Sequence, residues 1–268
     1  MLKRVFVILS VLVLSLFSVN AFAYVMTWDY TVSSVFIDST FSAGNGDAPV
    51  ITDTSLSWGN TTLQYPIQSS LVLDPAVVVD NVDTYVGGGA VPNINNYWAP
   101  DISITHNNYV IPGDSISLLS TVIHSTVALA PNPFNPFPAA TFDVDIAFFE
   151  TPNDGTDEND VFALLSGFPN FNFSYDNGDG DGLVDYFVNV FPSNGEVLSL
   201  LTGPYADFVG VDDNTTMGFT TVEGQSTTLP FVFTISTEPL NVVPEPGTFV
   251  LFGGGLLGLI FYARRRRQ

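Results

Sequence analysis

Between Tyr24 and Ala263 the chain contains no lysine and no arginine. All six basic residues lie outside that stretch, as Lys3, Arg4 and Arg264 to Arg267, whereas 26 of the 27 acids fall between Tyr24 and Asn241. A fold built from this sequence has no cationic side chain of that kind to set against a carboxylate. Each Asp or Glu must end in water, on a backbone N–H, beside a hydroxyl or on a metal ion, because burying one unpaired is costly. Self-repulsion among so many like charges favours solubility, which accounts for most of them without any site. The same imbalance favours divalent cations as partners. Nucleic acid is excluded as a partner, since nothing could neutralise its phosphates. Phosphorylated ligands are disfavoured too, because no glycine-rich phosphate loop with its lysine occurs.

The hydrophobic pattern has period two. In Thr141 to Phe149, Phe142, Val144, Ile146 and Phe148 fall on one face and Thr141, Asp143, Asp145 and Ala147 on the other, which predicts a half-buried strand. Leu183 to Phe191 and Leu229 to Ser236 read as further strands, and Ile116 to Leu129 as one long strand or two. Turn signals recur at Gly44-Asn45-Gly46, Gly87-Gly88-Gly89, Ile111 to Asp114, Asn194-Gly195 and Val222-Glu223-Gly224. Pro131 to Pro138 is too proline-rich for a central strand and predicts a loop or crossover. No segment reads as a helix of a dozen residues. The fold class expected is all-β, a sandwich or jelly roll spanning residues 24–241, with a small subdomain before about Asn93 as an alternative division. There is no cysteine, so no disulfide and no thiolate enters the argument.

The two ends read differently. Lys3 and Arg4, an apolar run from Val5 to Phe17 and Ala21-Phe22-Ala23 have the order of a signal peptide over residues 1–23, with Tyr24 as the first mature residue. At the other end come Pro244-Glu245-Pro246, 17 uncharged residues from Gly247 to Ala263, then Arg264, Arg265, Arg266 and Arg267. As a helix that run would extend roughly 25 Å, the short end of a transmembrane span, and the arginines would stay on the cytoplasmic side. The two prolines keep Glu245 in an extended segment. An uncleaved N-terminal anchor and an ordinary C-terminal anchor are the plainer alternatives.

The tail over residues 242–268 resembles the PEP-CTERM sorting signal of Gram-negative bacteria. That resemblance implies a membrane-tethered precursor, recognition by an exosortase-type peptidase, cleavage near Pro244 to Pro246, and display or release at a surface rich in exopolysaccharide and biofilm matrix. A second resemblance rests on Ile104 to Ile111 (Ile-Thr-His-Asn-Asn-Tyr-Val-Ile), Phe149-Glu150-Thr151-Pro152-Asn153 and Gly218 to Gly224. These motifs are similar to the choice-of-anchor K domain, over roughly Phe36 to Ser236. It implies a bacterial surface location and a β fold, and brings no catalytic residues.

Within the central region, Asn177, Asp179, Asp181, the Leu183 carbonyl and Asp185 have calcium-loop spacing, with Gly182 for the tight turn. Val188 stands where an EF-hand places its bidentate Glu, so Asp176, Glu150, Asp157 or Asp160 would have to complete the shell. The alternative is an acidic hairpin turn between Phe171–Tyr175 and Leu183–Phe191 whose carboxylates face water. Calcium is therefore the one cofactor candidate. His106, in a Thr-His-Asn-Asn turn, is expected to make a structural hydrogen bond, and His124 to sit in a strand. Neither has metalloprotease spacing, and no Gly-x-Ser-x-Gly elbow occurs. Trp28, Trp58, Trp98, Tyr97 and Tyr109 are candidates for sugar stacking, against core or edge packing. The functional expectation is a non-enzymatic structural or adhesive surface protein. A calcium-dependent glycan-binding module is the alternative, and a glycan-active hydrolase a more distant one.

Overall fold

The computed structural model describes residues 24–241 apart from 75–76, 92–94, 132–139, 152–158, 168–169, 177–181 and 194–196. The segments expected to be signal peptide and sorting helix lie outside the described residues, and among these no helix is long and apolar enough to cross a membrane.

Period-two patterning becomes two antiparallel sheets of seven strands each. The first runs β13 (Ser199–Leu200), β14 (Met217–Val222), β10 (Asn159–Leu164), β9 (Ala140–Phe149), β8 (Leu118–Pro131), β1 (Thr27–Phe41) and β5 (Val77–Asp83). The second runs β11 (Asn170–Asp176), β12 (Leu183–Pro192), β15 (Ser226–Ser236), β7 (Ala99–Asn107), β4 (Ser69–Leu73), β3 (Ser55–Trp58) and β2 (Val50–Ile51). A short parallel pair joins β6 (Gly89–Ala90) to β16 (Leu240–Asn241). Of the strands before Asn93, β1 and β5 lie in the first sheet, β2, β3 and β4 in the second, and β6 in the small pair. β8 and β9 are direct antiparallel neighbours, and residues 132–139 of the proline-rich segment between them lie outside the described residues.

The core lies between the sheets. Trp28, Tyr30, Val32 and Phe36 of β1 point inward at alternate positions, and Tyr30 meets Phe233 of β15 edge-on at 4.8 Å. In β9, Ile146 and Phe148 are buried while Thr141, Asp143 and Asp145 face solvent. β10 is covered on both faces, because Val161 and Ala163 pack beneath a short helix, α1 (Pro204–Val209). Proline starts that helix and Gly210, left-handed at φ 71°, ends it. Phe208 stacks on Phe149 at 4.7 Å to hold it down. Irregularities have local causes. Asp38 takes φ 50° where the β1–β8 register shifts, and Pro230, which cannot donate to a ladder, sits at a register shift between β15 and β7.

Without lysine or arginine the strands are joined laterally by hydroxyls. On the β1–β8 seam Ser34 meets Ser125 at 2.6 Å, Ser39 meets Thr121 at 2.8 Å and Thr40 meets Ser120 at 2.6 Å, while just past β1 Ser42 meets Ser117 at 3.1 Å. Acids find the partners left to them. Asp185 and Asp145 accept from Ser174 and Ser166, Asp47 from Thr61, Asp114 from Asn45, and Asp213 from the Gly203 N–H.

Gly218 of β14 is fixed by close approach rather than by an unusual dihedral. A Cβ there would lie 2.3 Å from the Phe162 carbonyl oxygen and 2.8 Å from the Leu201 methyls. Gly218→Ala is expected to cost about 1–2 kcal/mol by forcing β14 away from β10, read as a lower urea midpoint with unchanged slope.

Candidate functional site

Three short segments converge at one end of the sandwich. β7 ends in His106 and Asn107 and is followed by Asn108; β9 is followed by Glu150 and Thr151; and Glu223 occupies the turn between β14 and β15. The turn is tied down from β7. Asn108 donates through Nδ2 to the Thr221 carbonyl at 2.9 Å, its own carbonyl accepts the Gly224 N–H at 2.9 Å, and its N–H donates to the Gln225 carbonyl at 3.0 Å. Gly224 at φ +72° closes the turn, which leaves Glu223 beside the sheet ends.

Asp160 of β10, the strand between β9 and β14, joins the group from the first sheet. Its Oδ1 accepts the Thr151 N–H at 3.0 Å and the Thr151 hydroxyl at 3.3 Å, and its Oδ2 lies 3.6 Å from His106 Nε2. Glu150 accepts the Trp58 indole N–H at 2.7 Å through Oε2. Trp58 stacks on the His106 ring at 6.0 Å between centroids, and Phe148 sits edge-on to both rings. Thr221 is the cross-strand partner of Asp160, so its side chain shares the inward face. Trp58, His106, Asn108, Asp160 and Thr221 are 1% exposed or less.

Burial and mutual charge dictate the protonation of this cluster. Burial, then the negative charge of Asp160, raises Glu150 well above the usual carboxylate range. Burial pushes Asp160 up to about 7, opposed by the Thr151 N–H and reinforced by Glu223. Burial also lowers His106 to about 3, so its ring is neutral at any ordinary pH and supplies no positive charge to the acids. Glu150 and Asp160 hydrogen-bond to each other through their side chains, whereas Asn108 Oδ1, Thr221 Oγ1 and both His106 ring nitrogens have no hydrogen-bond partner among the described residues. Buried polar atoms are normally satisfied, and orphans concentrated in one place call for an ion or water. A polar cavity of about 60 Å³ lined by Ile111, Pro112, Gly113, Ser115, Ser117, Glu150 and Thr151 reaches the cluster from outside. Among the described residues, no group of three or more His, Asp and Glu is already set at metal-ligand spacing.

Asp101 is a second buried acid, raised to about 6 by burial, with Oδ1 unpartnered. It borders a mostly apolar cavity of about 20 Å³ between the sheets.

The residues weighed from sequence are dispersed. Asn177, Asp179 and Asp181 lie outside the described residues; Leu183 and Asp185 open β12, both exposed, with Asp185 held by Ser174 at 2.6 Å. β11 and β12 pair antiparallel, with Asp176 opposite Leu183. Glu150 and Asp160 cannot complete a calcium shell at that hairpin. His106, their neighbour, pairs with Thr227, whereas Phe187 near the hairpin pairs with Ser236. Those positions on β15 are separated by roughly 30 Å of strand. His106 is also corrected: it is a buried residue of β7 rather than part of a turn, and its ring makes no hydrogen bond. His124 does lie in a strand and meets Asp143 at 2.6 Å. Trp28 and Trp58 are fully buried and so cannot stack on sugars, while Trp98, Tyr97 and Tyr109 are half-buried. Tyr24 is half-buried at the start of the described chain, and Ala21 and Ala23, like Pro244, Glu245, Pro246 and Arg264 to Arg267, lie outside the described residues.

A sandwich that closes with β16 at Asn241, directly followed by a proline-framed acid, an apolar run and an arginine cluster, defines an exported β protein carrying a sorting tail. Residues 242–267 match the PEP-CTERM protein-sorting motif, which implies an exosortase-targeted, membrane-anchored precursor. No curated protein and no solved structure matches the chain.

Proposed function

We propose that this protein is a structural or adhesive component of a Gram-negative cell surface or extracellular matrix, delivered by exosortase processing and without catalytic activity. The observation that carries the reading is the sorting motif at residues 242–267, set against a folded body whose last strand ends at Asn241. The tail is the part that membrane machinery reads, and the sandwich is the cargo. The resemblance to the choice-of-anchor K domain supports the same reading, because the three motifs that carry it meet in one buried cluster rather than scattering over the surface. A surface-displayed module needs a rigid body that survives outside the cell without disulfides, and the two-sheet core supplies that rigidity.

The test removes Pro244 to Gln268 in the native host. The shortened protein is expected to leave the fraction in which the intact protein accumulates, with a changed balance among membrane, surface and medium. Unchanged fractionation would sink the sorting role, and turnover of a glycan by the purified protein would sink the non-catalytic one.

A further inference from the structure

We infer that β16 is a clasp on the sorting tail: Asn189 and Asn170 hold Leu240 on the second sheet, and the clasp must open before a peptidase can cut near Pro244 to Pro246. The inference rests on the exosortase processing proposed above and adds how the fold regulates it.

Asn189 interrupts an apolar strand. Val188 and Val190 on either side of it face the core, so the Asn189 side chain leaves β12 on the outer face of the second sheet. It has no exposure there, and a buried amide needs partners. Its Nδ2 donates to the Ser236 hydroxyl at 2.9 Å and to the Phe187 and Thr234 carbonyls at 3.2 Å. Its Oδ1 accepts the Leu240 N–H at 3.0 Å. The residue opposite Asn189 in the ladder is Thr234, so the chain beyond β15 has doubled back to reach it. The Ser236 hydroxyl holds that turn by donating to the Glu238 carbonyl at 2.6 Å. Asn170 of β11 donates to the Leu240 carbonyl at 3.4 Å, and Leu240 itself is buried. A valine would suit β12 on pattern alone; what the amide adds is a grip on the last strand.

The grip is local. β16 pairs with the short β6, Leu240 opposite Gly89 and Asn241 opposite Ala90, while Thr237 is tied separately to the Tyr85 carbonyl at 3.0 Å. Residues 238–241 can therefore lift without breaking a ladder of either large sheet. Lifting them more than doubles the reach of the sorting motif. Pro244 stands three residues past Asn241, at most about 11 Å along the chain from the closed body. Freeing residues 238–241 adds about 14 Å. A peptidase has to hold the backbone on both sides of the bond it cuts, which a packed strand denies it, so cutting tracks the open population. In that step one backbone amide breaks. Its acyl carbon goes to water or to an acceptor hydroxyl or amine, whose proton ends on the freed nitrogen of the tail.

The test follows the full chain in its native host by pulse–chase, reading precursor and processed body on gels. Asn189→Ala removes the tie and should speed processing about fivefold, the shift in open population that the loss of one such hydrogen bond gives. A second variant leaves the interior untouched. Ala90→Cys with Asn241→Cys places two exposed cysteines at paired positions of a chain that has no other, and an oxidising compartment should join them. Thiol alkylation reads the fraction joined. The joined precursor should be cut roughly tenfold more slowly, and roughly six Gly/Ser residues inserted after Asn241 should return it to the parent rate. Each single cysteine variant should process as the parent does. Parent-rate cutting of the joined chain, or a spacer that fails to restore it, would overturn the clasp and leave the sorting reading intact. A parent chain that is never cut would overturn both.

Discussion

Trp28→Ala is expected to lower the unfolding free energy by about 4 kcal/mol. Trp28 has no exposed surface and stands edge-on to Phe173 at 5.4 Å, Tyr175 at 5.8 Å and Tyr186 at 5.1 Å. Its indole N–H donates to the Thr84 hydroxyl at 2.8 Å, and the Tyr186 hydroxyl in turn accepts the Val25 N–H at 2.8 Å. Truncation therefore opens a cavity where β1 meets β11 and β12 and withdraws the centre of an aromatic cluster that spans the sheets. Trp28→Phe keeps a ring but not the N–H, and should cost less than half as much. Equilibrium urea unfolding of both variants reads the two values. A loss below about 1 kcal/mol for alanine would mean that the neighbouring rings collapse into the space.

Stability is expected to fall as pH rises above about 4.5 because of Glu150. Folded Glu150 keeps its proton well above 4.5, where the unfolded chain has lost it, so the stabilisation is complete below 4.5 and drains away on the alkaline side. A difference of one bound proton changes stability by about 1.4 kcal/mol per pH unit. His106 and Asp160 shift in opposite senses and cancel over much of this range. Between roughly pH 4 and 6.5 the folded pair holds one proton, on Asp160, and the unfolded pair also holds one, on the histidine. Glu150→Gln should therefore flatten the cluster's contribution. His106→Phe, which preserves the ring packing, should double the slope below pH 6.5 by removing the unfolded-state proton. Surface carboxylates contribute the same background to every variant, so differences between variants isolate the cluster. Equal slopes in the parent and Glu150→Gln would rule the assignment out.

Much of the fold could be read from local pattern, and the candidate site could not. Phe142, Val144, Ile146 and Phe148 alternate cleanly because β9 has one face on the core, and the β11–β12 hairpin is marked by its Asp/Gly turn. By contrast, Glu150 and Asp160 look like any other acids in a chain full of them. What separates them is a pairing between segments distant in sequence, and period-two reasoning carries no information about partners. His106 differs from its turn-like local sequence for a related reason. Thr-His-Asn-Asn has the composition of a turn, yet β7 runs through His106 because β15 and β4 supply ladders on both sides. Trp58 likewise offers no local sign that it will be buried against a carboxylate. The three motifs that resembled a surface domain were the available signal, and their convergence on one cluster is what the fold adds.

The hydroxyl seams of the sandwich bear on the water in which such a protein can work. Most folds hold part of their surface together with ion pairs, which dissolved salt weakens. Here the described ion pairs involve only histidines: neutral, buried His106 with Asp160, and exposed His124 with Asp143. The β1–β8 seam is held by serine and threonine contacts that carry no net charge, and nearly every other electrostatic term on the surface is a repulsion between carboxylates. Ionic strength thus relieves strain in this molecule and has almost nothing to loosen, so brine is a milder medium for it than fresh water.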